Sequence, residues 1–218
     1  MKLDPLAELI LCELSTHAEC DQIVLGGYFA MQHYVDYRAT HDIDAWWKDA
    51  ANVRVEAVIR AGMQRVASAK NLVVAERRFG ETISFELRSQ SARVFSFQIA
   101  VRSIALEPPV PSNWPPILIE TLADNVASKM NALVERGAPR DFTDIFHVVD
   151  AGLMTSNTCW NLWEKKNPGG TIESATQRAA VHLSSLEQRR PLSSIADEHE
   201  RARAAKVRLW IRQELFRR

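Results

Sequence analysis

Residues 23–47 read IVLGGYFAMQHYVDYRATHDIDAWW. The β-branched and apolar run Ile23-Val24-Leu25 predicts a short buried strand, Gly26-Gly27 breaks it, and Tyr28 to Tyr34 suits a short helix. Asp42 to Trp47 then predicts a second strand. Side chains two apart on a strand share a face, so Asp42 and Asp44 project together with carboxyl groups about 5–7 Å apart. At an effective dielectric of about 20 and a separation of roughly 6 Å, their repulsion is about 3 kcal/mol. Bound Mg²⁺, which is typically held by one or two carboxylates plus water and phosphate oxygens, reverses that cost. On the pair alone, two solvated aspartates at a strand end are the better reading.

Gly26-Gly27 sharpens the choice. Without side chains, this turn lets backbone N–H groups approach a polyphosphate closely at the start of a helix. Its spacing is neither that of a P-loop nor that of a dinucleotide fingerprint, and a tight strand-to-helix turn explains it on its own. Trp46 and Trp47 point to opposite faces of their strand, and core plus surface packing accounts for both.

Working outward, Asp4 with Pro5 opens a helix carrying Leu6, Leu9, Ile10 and Leu14 on one stripe. A second helix carries Val55, Val58 and Ile59, with Gly62 expected as its C-terminal cap. From Gln64 to Arg102 the period changes to two, with strands at Val73 to Glu76, Ile83 to Leu87 and Val94 to Val101, the last two joined through Arg88-Ser89-Gln90-Ser91 as an antiparallel meander. Pro108, Pro109, Pro111, Pro115 and Pro116 interrupt this pattern. Beyond them helices are expected over 117–135, 141–150, 157–166, 172–189 and 195–218. The class is therefore α+β, with a sheet-bearing core over 1–107 and a helical region over 117–218.

The 218 residues carry 27 Lys+Arg against 27 Asp+Glu, so no global charge draws the chain to nucleic acid or an anionic membrane. From Glu200 to Arg218 there is a local excess of basic residues, readable as a phosphate contact surface or, more simply, as a solvated helix face. Cys12, Cys20 and Cys159 form no paired motif and the six histidines show no zinc spacing, which argues against a disulfide scaffold or zinc chemistry. No signal-peptide pattern and no membrane-length apolar run is present, so a cytoplasmic protein is expected.

In the helical half, Lys129 and Arg136 share one helix face, while Asp141 and Asp144 share another. The segments Leu25-Gly26-Gly27-Tyr28, Arg38-Ala39-Thr40-His41-Asp42-Ile43-Asp44, Lys129-Met130-Asn131-Ala132-Leu133-Val134-Glu135-Arg136 and Arg140-Asp141-Phe142-Thr143-Asp144 follow one another in this order. Together they resemble the AbiEii/AbiGii-type toxin family of nucleotidyltransferases over roughly residues 20–150. The resemblance implies a polymerase-β-like nucleotidyltransferase core and Mg²⁺-dependent transfer of a nucleotidyl group from a nucleoside triphosphate. It also implies a role as the toxin of a toxin–antitoxin or phage-defence pair. Carried over, Gly26, Gly27 and Thr40 contact the nucleotide, Asp42 and Asp44 bind Mg²⁺, Lys129 contacts phosphates, and Asp141 and Asp144 form the late acidic motif. The acceptor stays open among tRNA or another RNA, a protein and a small molecule, and a cognate antitoxin is an implied partner.

Two positions depart from the family pattern. The expected third carboxylate falls on Gln98, in Phe95-Ser96-Phe97-Gln98-Ile99, with Glu86 on the neighbouring strand as a substitute, and Tyr28 follows Gly27 in place of a small hydroxyl residue. An amide oxygen can ligate a metal but supplies neither charge nor base. A degenerate, catalytically weak fold that binds nucleotide, RNA or a protein is accordingly the alternative to an active enzyme.

Overall fold

The side chain of Asp4 accepts the Leu6 N–H at 2.7 Å and Pro5 sits in the first turn, so helix α1 (Pro5–Leu14) starts where capping chemistry dictates. A computed structural model describes residues 3–90, 92–102 and 104–217. Ser91 of the expected hairpin turn and Arg218 of the basic run lie outside the described residues. The chain divides into two compact units, Met1–Asn125 and Val126–Arg218.

In the first unit, α1 is followed by β1 (Ile23–Gly26), α2 (Gly27–Met31), β2 (Asp42–Trp47), α3 (Val53–Ala69), β3 (Val73–Phe79), β4 (Thr82–Ser89), β5 (Ala92–Ala100), β6 (Val110–Pro111) and β7 (Leu118–Ile119). The strands form one seven-stranded sheet in the order β3-β4-β5-β2-β1-β7-β6. Its β3-β4-β5 portion is the expected antiparallel meander, while β2 joins β5, and β1 joins β7, in parallel. One face carries Ile23, Leu25, Ile43, Ala45, Phe85, Phe97 and Ile99 into a common core with Ile10, Leu11 and Leu14 of α1 and Ile59 and Met63 of α3. The opposite face of strands β2, β4 and β5 carries Asp42, Asp44, Ser84, Glu86, Ser96 and Gln98, as period-two alternation places them.

Three expectations are corrected. Gly62 does not end its helix: α3 runs on to Ala69, and a Cβ at Gly62 would lie 3.2 Å from Leu14 Cδ2, so this glycine permits close packing of α1 on α3. The proline segment does not end the sheet, because β6 and β7 complete it and Leu118–Ile119 extends alongside β1 instead of opening a helix at residue 117. The helix expected over 28–34 is the five-residue α2, starting at Gly27.

Helix α4 (Leu122–Glu135) leads into the second unit, which adds α5 (Pro139–Asp150), α6 (Ser156–Lys166), α7 (Ile172–Arg189) and α8 (Glu198–Trp210), the last ending in a π-helical turn, Ile211–Leu215. Its core includes Phe142, Ile145, Trp160, Trp163, Leu183, Ile211 and Leu215, and Trp160 Nε1 donates to the Leu215 carbonyl at 2.9 Å. The basic run is largely engaged within this unit. Arg201 bonds the Ile195 carbonyl, Lys206 pairs with Asp150, Arg208 bonds the Arg190 carbonyl and Arg212 pairs with Glu187. Those contacts favour a structural role for the charges over a phosphate surface.

Cys20 and Cys159 are buried, and burial pushes both thiols up to about 12, so they are inert core residues. Among the described residues no helix is long and apolar enough to cross a membrane.

Where edge strand β3 meets α3, the core is closed by ion pairs. Arg60 bonds both Glu56 and Glu76 at 2.6–2.9 Å, and Arg78 bonds Glu56 at 2.6 Å. Desolvation would raise the Glu56 carboxyl, but the Arg78 and Arg60 guanidinium groups outweigh it and hold the group below its usual range, as the Arg60 hydrogen bond does for Glu76. A carboxyl lowered in the folded state contributes stability above its unfolded pKa and loses it as pH falls through the folded value. Urea-unfolding stability should therefore fall as pH drops below the ordinary glutamate range, and Arg60→Gln should make that fall shallower.

Candidate functional site

Register assembles the polar face of the sheet into two rows. Asp44 of β2 lies beside Gly26 of β1 and Gln98 of β5, with Ser84 of β4 next in line. Asp42 lies beside Ser96, and Ser96 beside Glu86. Cross-strand partners share a face, so Asp42, Asp44, Gln98 and Glu86 all project from the same side of the sheet. Between the aspartates Ile43 turns fully into the core, which fixes both carboxylates outward.

The glycine turn is pressed against this row. Gly27 adopts φ +60°, and a Cβ there would fall 2.2 Å from Asp44 Oδ2 and 2.7 Å from Asp44 Cβ. At Gly26 a Cβ would fall 2.3 Å from Trp46 Nε1 and 3.0 Å from Glu120 Oε2. Only hydrogen fits at either position, so backbone and carboxylate approach as no other residue type would allow. Trp46 lies beneath this turn and Trp47 is in the core, so neither indole is a base platform.

Thr40 spends its hydroxyl on Asp42 Oδ1, which orients that carboxylate. His41 Nδ1 lies 2.5 Å from Asp4 Oδ2 and ties the loop to the start of α1. Beside Asp42 an open cavity of about 340 Å³ is lined by Arg38, Thr40, His41, Arg93 and Phe95, among others. The Tyr28 hydroxyl accepts the N–H groups of Tyr37 and Arg38 at 3.2 and 2.9 Å, and the Arg38 guanidinium stacks 3.5 Å from the ring centroid. Tyr28 thus organises the loop that delivers Thr40 and Asp42.

Of the two residues weighed for a third carboxylate position, Gln98 is exposed and stands directly beside Asp44. Glu86 is buried and accepts from Arg88 at 2.6 Å, with Arg77 3.9 Å away, so its charge is already balanced. Among the described residues, no group of three or more His, Cys, Asp or Glu side chains converges on a metal position. The acidic set at β2 is Asp42 and Asp44, flanked by an amide.

In the second unit, Lys129 Nζ lies 2.7 Å from Asp144 Oδ2, the carboxylate fully buried and the lysine nearly so. Asp141 is held in a fork by Arg136 Nε and Nη2 at 2.9 and 2.8 Å and also accepts the Ala138 N–H at 3.0 Å. Asp141 is therefore a helix-start brace for α5, while Asp144 balances and aims Lys129.

The family model for the nucleotidyl transferase AbiEii toxin of type IV toxin–antitoxin systems matches residues 9–209. The chain belongs to the AbiEii family. A crystal structure from H. pylori, described as that of a "putative nucleotidyltransferase", shares the fold at a TM-score of 0.52 and 13% identity, covering 96% of this chain and 93% of that one. Comparison with curated proteins gives no match.

For an AbiEii-family chain, the sequence motifs fall into both units: Gly26, Gly27, Thr40, Asp42 and Asp44 in the first, and Lys129, Asp141 and Asp144 in the second. Sequence reasoning missed Glu120 and Asn125, both fully buried against the glycine turn. The apolar stripe of α4 runs through Val126, Met130 and Leu133 and leaves Asn125 off it, so the local period gave no signal for this residue.

Gly80 provides a control for Gly27, since it has φ +57° and nothing within 4 Å of the point a Cβ would occupy. Gly80→Ala should cost only the left-handed backbone penalty of about 1–2 kcal/mol. Gly27→Ala adds the collision with Asp44 and should cost at least about 1 kcal/mol more, measured by urea unfolding of the two variants.

Proposed function

We propose that this chain is a Mg²⁺-dependent nucleotidyltransferase that acts in the cytoplasm as the toxin of a toxin–antitoxin pair. The observation that carries the reading is the row in which Gly27 backbone, Asp44 and, two residues along, Asp42 share one face of the sheet. A cradle that excludes every Cβ beside two like charges suits a metal-bound polyphosphate, whose cation offsets the carboxylates and whose oxygens meet backbone N–H groups. Asp42 and Asp44 would hold Mg²⁺, with Thr40 fixing the orientation of Asp42. Gly26 and Gly27 would receive the triphosphate. The resemblance implies that Lys129 contacts phosphates; in the second unit its ammonium group lies 2.7 Å from Asp144 Oδ2.

In the transfer, an acceptor hydroxyl oxygen would bond to the α-phosphorus as the α–β anhydride bond breaks, pyrophosphate would leave and the hydroxyl proton would pass to solvent water. Mg²⁺ supplies neutralisation of charge on the phosphoryl oxygens. The acceptor is an RNA, tRNA included, a protein or a small molecule, and the antitoxin is the expected regulatory partner.

Thermal unfolding with Mg²⁺ and each nucleoside triphosphate tests the site. Ligand at about 100 times its dissociation constant should stabilise the wild type by roughly 2.7 kcal/mol. The double variant Asp42→Asn with Asp44→Asn should lose the Mg²⁺-dependent shift, and an undiminished shift would place the site elsewhere.

A weakly catalytic binder is the second reading, favoured by Gln98 standing in register where a third charge would assist the acceptor. On that basis the wild type should bind nucleotide but transfer slowly against labelled triphosphate and total cytoplasmic RNA or protein. Gln98→Asp should raise the rate. Rapid wild-type transfer insensitive to Gln98→Ala would show that position 98 takes no part.

A further inference from the structure

Strand β3 stands at the end of the sheet, so one of its backbone edges pairs with β4 and the other meets no strand among the described residues. Natural edges are commonly blunted by charges, proline or a bulge, because their free N–H and C=O groups template another strand. Two of the three charges on β3 are spent elsewhere. Glu76 and Arg78 lie on the α3 face, where Arg60 bonds Glu76 and Arg78 bonds Glu56. On the opposite face β3 carries Val73, Ala75, Arg77 and Phe79, beside Arg88, Glu86, Ser84 and Thr82 of β4. Val73 is 65% exposed and Phe79 66%, the two ends of an edge that leaves its apolar side chains uncovered.

This edge is complementary to itself. Two identical strands paired antiparallel in one sheet are related by a two-fold axis perpendicular to it, so facing residues share a face and the central residue meets its own copy. With the axis at Glu76, two carboxylates would be directly opposed, which is destabilising. With the axis at Arg77, Glu76 faces Arg78 of the second copy and Arg78 faces its Glu76. Phe79 then covers Ala75, the smallest side chain of the edge, with Val73 and Arg77 of the second copy as diagonal neighbours. The one like-charged contact, Arg77 on Arg77, is tempered by Glu86, whose carboxylate lies 3.9 Å from Arg77 within each copy.

We propose that the β3 edge is a self-association surface: two copies of this chain pair antiparallel through residues 75–79, with Arg77 on the two-fold axis, and the sheet continues across the interface. The perpendicular axis keeps the Asp42 and Asp44 rows of both copies on the same side of the joined sheet. Seven inter-strand steps of about 4.8 Å separate the two β2 strands, which sets the rows roughly 34 Å apart. The contact involves fewer residues a side than a standard interface, so the dimer is weak, with a dissociation constant on the order of 10–100 µM. The inference concerns the ligand-free chain and stands independently of the nucleotidyltransferase reading.

Sedimentation equilibrium of the full chain tests it, with Cys12→Ser to remove the exposed thiol. The apparent mass should climb from 24.7 kDa toward twice that value as concentration rises from about 1 to about 500 µM. Phe79→Lys, at an exposed position and set against Arg77 of the second copy, should stay monomeric over the same range with an unchanged Tm. A short bismaleimide should couple Arg77→Cys into a dimer, because facing Cα atoms lie about 4.5–5.5 Å apart. It should not couple Val181→Cys, an equally exposed position on α7. An association that Phe79→Lys leaves intact, or coupling of Arg77→Cys no greater than that of Val181→Cys, would overturn the proposal. So would a wild type monomeric throughout the range, which would leave the edge to a strand of another protein.

Discussion

The contact between the Gly27 backbone and the Asp44 carboxylate is the constraint around which the first unit is arranged. It requires a residue without a Cβ at φ +60°, a strand ending directly beside it, and a neighbouring strand whose register presents an aspartate at that height. The apolar face of the same sheet supplies the rest. Ile43 and Ala45, buried on either side of Asp44, lock the alternation of β2, and a slip of one residue would send both carboxylates into the core. Hydrophobic burial thus fixes a polar geometry it does not itself contain.

Charge is handled differently in the two units. In the first, Asp42 and Asp44 are only partly buried, and the balanced charges lie around them: Glu86 with Arg88, and Glu120 and Asp124 with Arg102. In the second, Lys129 with Asp144 and Arg136 with Asp141 are paired around fully buried carboxylates. Removing one member of such a pair leaves an uncompensated buried charge, which costs about 3–5 kcal/mol. Loss of function in variants at Lys129 or Asp144 therefore has to be separated from loss of folding.

Much of this was legible in the sequence because it rests on local chemistry. The Asp4–Pro5 start of α1, the alternation of β2 and the meander over 73–100 follow from capping and period two, and four ordered motifs carried the family assignment. Other features depend on contacts distant in sequence. The two-residue strands β6 and β7 are too short to show a period, and their place in the sheet is set by the pairing of Leu118 with the distant Val24 of β1 and by the pairing of β6 on β7. Gly62 read as a cap because its true role is defined by Leu14 on another helix. Tyr28 stood out only as a departure from a small hydroxyl residue, whereas its hydroxyl is committed to the loop at Tyr37 and Arg38. Asn125 was invisible because its partners, Gly27 and Glu120, meet only in the folded sheet.

The most direct test of the central claim is a crystal structure with Mn²⁺ in place of Mg²⁺ and a non-hydrolysable nucleoside triphosphate, using the anomalous signal of manganese to locate the cation. The account predicts an anomalous peak bridged by the carboxylates of Asp42 and Asp44, with the triphosphate lying along the Gly26–Gly27 backbone. A peak coordinated by neither aspartate, or a triphosphate bound away from the glycine turn, would contradict it.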